Sequence, residues 1–147
     1  MAGWWIEEPK LLGSSNPDDA FLEQLFSKGF RVLISLLEES AQVPNYEPAQ
    51  LSDGWVRHNL PIKDFHAPSL EQLRTFVTMV EAQEQAKILV HCQGGLGRTG
   101  TMAAAYFIYK GMTTSEAIDH VRQLNSRAIE TPEQEHALFE FEISLSG

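Results

Sequence analysis

The chain has 147 residues, 43% of them apolar and 21% charged, with a formal net charge of −9 and one cysteine. That length suits a single domain over 1–147 with a core of ordinary extent, and no apolar run approaches the roughly 20 residues that span a bilayer. The negative balance disfavours nucleic acid and anionic membrane as partners, both of which demand a basic face, and a lone thiol excludes an intramolecular disulfide and a cysteine zinc cage.

The N-terminus, MAGWWIEEPK, lacks the basic and apolar segments of a secretory signal, so a cytoplasmic protein is expected. Asn16-Pro17-Asp18-Asp19 then supplies a cap, a proline suited to a first turn and two acids for the positive end of a helix. Phe21, Leu22, Leu25 and Phe26 follow at helical spacing, and the helix is expected to stop near Gly29. RVLISLL, Arg31 to Leu37, is a short apolar run with β-branched residues, which suits a strand buried on both faces. QVPNYEP, Gln42 to Pro48, is expected to be a flexible loop. A second helix is predicted over 69–86, with Leu70, Leu73, Phe76, Val77 and Val80 on one face; it leads into the strand Ile88 to Val90. Thr101 to Tyr109 is small or apolar on every side, as a helix buried by its neighbours requires. A Thr113/Glu116 capping box opens a helix carrying Ile118, Val121 and Leu124, and Thr131-Pro132 opens a last one carrying Leu138, Phe141 and Leu145. Strands alternating with helices imply an α/β domain with a largely parallel central sheet flanked by helices.

Between the strand at Ile88 and the buried helix lies HCQGGLGRTG, His91 to Gly100. Gly95 to Gly100 matches GxGxxG, yet the acid required about 20 residues later falls at Glu116 or Asp119, inside a predicted helix rather than at a strand end. Walker A fails as well, because no Lys-Ser/Thr pair closes the loop. Counting from Cys92 gives a third reading: a sulfur, five residues, then Arg98. A strand that delivers a sulfur, a tight loop with N–H groups turned inward and a helix start behind it form an anion cradle. Gly94, Gly95 and Gly97 permit the curling, and Arg98 can clamp two oxygens with its planar fork. Such positive surroundings favour a thiolate at Cys92. Taken singly, Cys92 would be an inert core thiol, Arg98 a surface charge and the glycines a turn; their coincidence favours the cradle.

This loop resembles the signature of the cysteine-dependent protein tyrosine phosphatase superfamily, HC followed by five residues, R and S/T. The rest of the chain is similar to the small atypical dual-specificity phosphatases and the compact archaeal tyrosine phosphatases. WW near the start, ISLLE, LPIKDFHAPS, TGTMAAAYFIY and IETPEQE carry the likeness. A phosphate monoester needs an in-line nucleophile, neutralised oxygens and a proton for the leaving group. Cys92 can supply the first through a cysteinyl-phosphate, and Arg98 with the N–H groups of Gln93, Gly94, Gly95, Leu96 and Gly97 the second, with neither metal nor cofactor.

The resemblance implies that Asp64 in PIKDFHAP is the general acid; His66 could donate the proton instead, and Asp53, beside Gly54, reads as turn chemistry. It implies that His91 orients the loop and favours the thiolate, and that Thr99 gives its hydroxyl to the sulfur. At Glu130 larger relatives carry a glutamine that helps place the hydrolytic water. Gln134 could take that task or simply be the second half of a capping box with Thr131. LNSRA replaces an arginine-proline common in the relatives. Glu38 could brace Arg98, or be a solvated acid.

The implied activity is hydrolysis of phosphotyrosine, with phosphoserine and phosphothreonine open, in a phosphorylated protein partner; a monomer is expected. The alternatives are a phosphatase of RNA 5′ ends, phosphoinositides or metabolites, and a pseudophosphatase that binds phosphate without turnover. Lysines inside the loop, typical of the phosphoinositide enzymes, are absent here.

Overall fold

The computed structural model describes residues 3–146. In chain order the elements are β1 (Gly3–Glu7), β2 (Leu11–Ser14), α1 (Asp19–Ser27), β3 (Phe30–Ser35), a 3-10 turn (Pro48–Gln50), β4 (Val56–Asn59), α2 (Leu70–Ala82), β5 (Lys87–His91), α3 (Gly97–Tyr109), α4 (Thr114–Leu124) and α5 (Pro132–Ser146). The strands form one sheet in the order β1-β2-β5-β3-β4. The β2–β5, β5–β3 and β3–β4 pairings are parallel and only β1–β2 is antiparallel, which is the largely parallel α/β sheet that the alternation implies.

The two central strands are buried on both faces, as their unbroken apolar runs require. Val32, Ile34, Ile88 and Val90 face a core shared with α2, α3, α4 and α5, whereas Leu33 and Leu89 face a smaller core with Leu22 and Leu25 of α1. Both predicted capping boxes form: Thr113 with Glu116, and Thr131 with Gln134, whose N–H reaches Thr131 Oγ1 at 3.2 Å. A third, Ser69 with Gln72, starts α2. Among the described residues no helix is long and apolar enough to cross a membrane.

Several boundaries differ from expectation. α1 is capped by Asp18, whose carboxylate accepts the Phe21 N–H, which leaves Asn16 free for another task. β3 stops at Ser35, before Leu36 and Leu37, and α2 stops at Ala82, four residues short of the predicted end, where the polar Gln83-Glu84-Gln85 run offers no face to bury. α3 begins at Gly97 rather than Thr101, so the glycine-rich loop feeds straight into the helix. QVPNYEP is pinned rather than loose, since Tyr46 is buried in the smaller core and Asn45 is bonded to Asn16. β1, β2 and β4 have no counterpart among the predicted strands.

Candidate active site

β5 ends at His91 and delivers Cys92, only 2% exposed, to the C-terminal edge of the sheet. The loop beyond it is held by its carbonyls. Gln93 O accepts the Asn16 N–H at 3.0 Å, Gly95 O accepts the Trp4 indole N–H at 2.9 Å, and Leu96 O accepts from Gly100 N at 2.9 Å and Ile129 N at 3.2 Å. A trans peptide is planar, with its C=O and N–H opposed. Each outward carbonyl therefore turns the next N–H, those of Gly94, Leu96 and Gly97, to the other side. Gly95 has φ +76°, followed by right-handed Leu96, the alternation that builds an anion nest. A side chain at Gly95 would also strike the backbone of Ser14 and Ser15. No side chain caps α3, so the donors of its first turn are left open.

Two donors reach the sulfur: the Gly95 N–H at 3.2 Å and the Thr99 hydroxyl at 3.1 Å. Arg98, 1% exposed, donates from Nη1 to Ile62 O at 2.8 Å, and its Nη2 lies 3.1 Å from Asp64 Oδ1. That last contact is close in charge but not aligned as a hydrogen bond, so Nε and Nη2 keep buried N–H groups without an acceptor among the described residues. An interior guanidinium with unspent donors is costly unless an anion completes it.

His91 is buried and burial holds its imidazole down to about 3, helped by the nearby Arg57 and Arg98 charges and opposed by its contact with Cys92 O. It is therefore neutral. Its Nδ1 lies 3.4 Å from Cys92 O, and a carbonyl only accepts, so Nδ1 carries the proton; Nε2 then accepts the Tyr46 hydroxyl at 2.8 Å. Arg57 donates to the same hydroxyl at 3.1 Å and pairs with Glu39. The ring thus orients the loop as a hydrogen-bonding group, not as a cation.

Asp64 stands at the open side of the cradle, its Oδ1 accepting the Phe65 N–H and its Oδ2 accepting from Gln42 Nε2 at 2.9 Å. The segment around it is clamped by the start of α5. Thr131 donates to Phe65 O, Gln134 donates to His66 O, and Glu133 accepts the Ala67 N–H. His66 points at Glu133, 3.5 Å away, and not at Arg98. Gln134 is fully buried; its oxygen accepts the Glu130 and Thr131 N–H groups, one N–H of its Nε2 donates to His66 O, and Nε2 itself lies with the Glu130 carboxylate against Gly97. The Glu130 carboxylate lies against Gly97, where any side chain would collide with it. Glu38 makes no ion pair with Arg98; the carboxylate beside that guanidinium is Asp64. Asp53 is exposed in the turn at Gly54, whose φ is +114°.

The structure thus brings together Cys92, the loop from Gln93 to Gly97, Arg98, Thr99, His91 and Asp64, with Glu130 on Gly97. It adds Trp4, Asn16, Gln42 and Tyr46, none of which was singled out from spacing. A family model described as "Polymorphic toxin system, DSP-PTPase phosphatase" matches residues 9–112. The chain belongs to this phosphatase family. It is 36% identical over 111 residues to cyclin-dependent kinase inhibitor 3 of Sus scrofa, a match that covers 72% of this chain and 52% of that protein. It is 35% identical over 81 residues to the phosphatidylinositol 3,4,5-trisphosphate 3-phosphatase and protein-tyrosine-phosphatase PTEN1 of Arabidopsis thaliana, covering 50% of this chain and 20% of the relative. The chain thus spans about half or less of the length of these relatives. The crystal structure of Tk-PTP in the active form superimposes with a TM-score of 0.86 at 32% identity, covering 96% of each chain.

Proposed function

We propose that the chain is a metal-independent phosphomonoester hydrolase acting on phosphotyrosine in proteins, and that 1–147 serves as one catalytic domain. The observation that carries this reading is Arg98: a buried guanidinium whose Nε and Nη2 have no hydrogen-bond acceptor among the described residues, beside a loop whose carbonyls are tied outward. A tetrahedral dianion supplies the missing acceptors. In the first step Cys92 Sγ attacks phosphorus, the bond to the ester oxygen breaks, and protonated Asp64 gives its proton to that departing oxygen. In the second, water attacks the cysteinyl-phosphate and passes a proton to Asp64, while the P–S bond breaks and the leaving sulfur accepts from Thr99 and the Gly95 N–H. Glu130, over Gly97, is the group we assign to placing that water. A lone reacting thiol also suits a reducing compartment such as the cytoplasm.

A substrate with several phosphates, such as a phosphoinositide headgroup, needs further cations near the loop. Gln93 to Gly97 carries none, and the chain is at −9 overall, which favours a protein substrate. The test compares metal-free hydrolysis of a phosphotyrosine peptide, a phosphoserine peptide, a soluble phosphoinositide and a 5′-phosphorylated RNA. The proposal expects the largest kcat/KM on phosphotyrosine. Faster turnover of the lipid or RNA would reassign the substrate, and no turnover with retained oxyanion binding would make the chain a pseudophosphatase.

A further inference from the structure

The loop between Cys92 and Arg98 contains Gly94, Gly95 and Gly97, residues whose own backbone preferences do not fix how the adjoining peptides are turned, although Gly95 and Gly97 are packed closely against Ser14, Ser15 and Glu130. A Cβ added at Gly94 would meet nothing within 4 Å. Some interaction must therefore select the orientation that makes a cradle. The peptide between Gly94 and Gly95 is fixed through its N–H, which donates to Cys92 Sγ, and that between Leu96 and Gly97 through its carbonyl, which accepts from Gly100 and Ile129. For the peptide between them, Gly95 O has one partner among the described residues: the indole N–H of Trp4, 91 positions away, at 2.9 Å.

The sheet edge is built to bring that indole across. Trp4 sits opposite Gly13 in the β1–β2 pairing, and a side chain at Gly13 would press on the Trp4 ring at 3.2 Å and on Thr99 Cγ2 at 2.9 Å. Glu7, at the other end of β1, is fixed by the Tyr106 hydroxyl at 2.7 Å. The antiparallel edge strand thus spans from α3 to the loop.

We infer that Trp4 is a positioning residue of the oxyanion cradle: by holding Gly95 O outward, its indole N–H keeps the Leu96 N–H turned toward the face on which Cys92 Sγ lies. This rests on the loop being an oxyanion site, as proposed above. Loss of the indole donor frees the 95–96 peptide to rotate, which removes one donor and presents a carbonyl oxygen to an anion in its place.

Trp4→Phe keeps an aromatic ring and removes the donor. Orthovanadate binding, followed by inhibition and by amide shifts in the ¹H–¹⁵N spectrum, reads the outcome. The wild type should bind vanadate with a large displacement of the Leu96 amide. Trp4→Phe should bind at least about tenfold more weakly, lose most of that displacement and keep a native spectrum elsewhere. Trp5→Phe, whose ring packs on Phe30 away from the loop, should behave as the wild type. Equal vanadate affinity and an unchanged Leu96 shift in Trp4→Phe would overturn the inference while leaving the site reading intact; a wild type that does not bind vanadate would overturn both. Should Trp4→Phe fail to fold, the wild-type indole resonance decides. It should be protected from solvent exchange and move on vanadate binding, and a rapidly exchanging, unresponsive Trp4 N–H would refute the role.

Discussion

Acidification from pH 7.5 to pH 5 should cost this fold stability specifically through His91. An imidazole in an unfolded chain titrates near 6.5, whereas burial holds the folded one down to about 3. Below 6.5 the unfolded chain takes up a proton that the folded chain refuses, so stability is complete above that pH and is lost as pH falls toward 3. Across the whole window, from 6.5 down to about 3, the loss at about 1.4 kcal/mol per pH unit comes to roughly 5 kcal/mol; at pH 5 it has reached about 2 kcal/mol. Urea unfolding of the wild type and of His91→Asn at both pH values isolates the His91 contribution, because the other four histidines and every carboxylate are common to the two proteins. His91→Asn should be less stable at pH 7.5, having lost the Tyr46 contact, and yet lose about 2 kcal/mol less on acidification. The imidazole resonances of His91 should also stay unmoved from pH 8 to pH 5. An equal pH dependence in both proteins would refute the neutral, buried His91 described above.

Three further outcomes follow from the geometry. Arg98→Lys should lower kcat/KM by well over tenfold, measured on an aryl phosphate, since an ammonium cannot both reach Ile62 O and present a planar pair of donors; a smaller loss would deny the clamp. Asp64→Asn should slow hydrolysis of phosphotyrosine and alkyl phosphates by about 10² to 10⁴ while sparing esters of acidic phenols, and should remove the alkaline limb of the rate profile. Equal slowing of every ester, with the limb removed by His66→Ala instead, would move the role to His66. Gly100→Ala should destabilise by about 1–3 kcal/mol in chemical denaturation. The new Cβ would lie 2.9 Å from Ile129 N and 2.8 Å from Ala128 Cβ, a backbone clash that outweighs the roughly 1 kcal/mol gained in helix propensity.

The elements legible in the sequence are those whose signal is local. β3 and β5 announce themselves as apolar runs because both faces are covered, and α4 and α5 carry capping boxes that form as written. β1, β2 and β4 do not, for different reasons. β4, VRHN, lies at the sheet edge and has no buried residue to set a period, while LLGS is only four residues long and contains Gly13, required by the close approach to Thr99 and Trp4. In the site, the HC-to-Arg spacing was enough to gather Cys92, Arg98 and the loop. Asp64 came only from resemblance, since a carboxylate in a proline-flanked connection has no mark of its own. Gln134 was legible as a cap, but its grip on His66 O was not. Trp4 to Gly95, Asn16 to Gln93 and Gln42 to Asp64 join distant segments through single hydrogen bonds, which leave no periodicity to read. Asn16 reads as part of a helix cap and Tyr46 as part of a flexible loop because each residue type is ordinary there.

The central claim is that the phosphoryl group passes through Cys92. Rapid acid quench of the wild type during turnover of an aryl phosphate, followed by peptide mass spectrometry, tests it directly. One phosphoryl group should be found on the Cys92 peptide, in larger amount in Thr99→Ala, where the sulfur leaves more slowly, and none in Cys92→Ser, which should not turn over. Undiminished hydrolysis by Cys92→Ser, or a wild type that turns over with the phosphoryl group on another residue, would contradict the account.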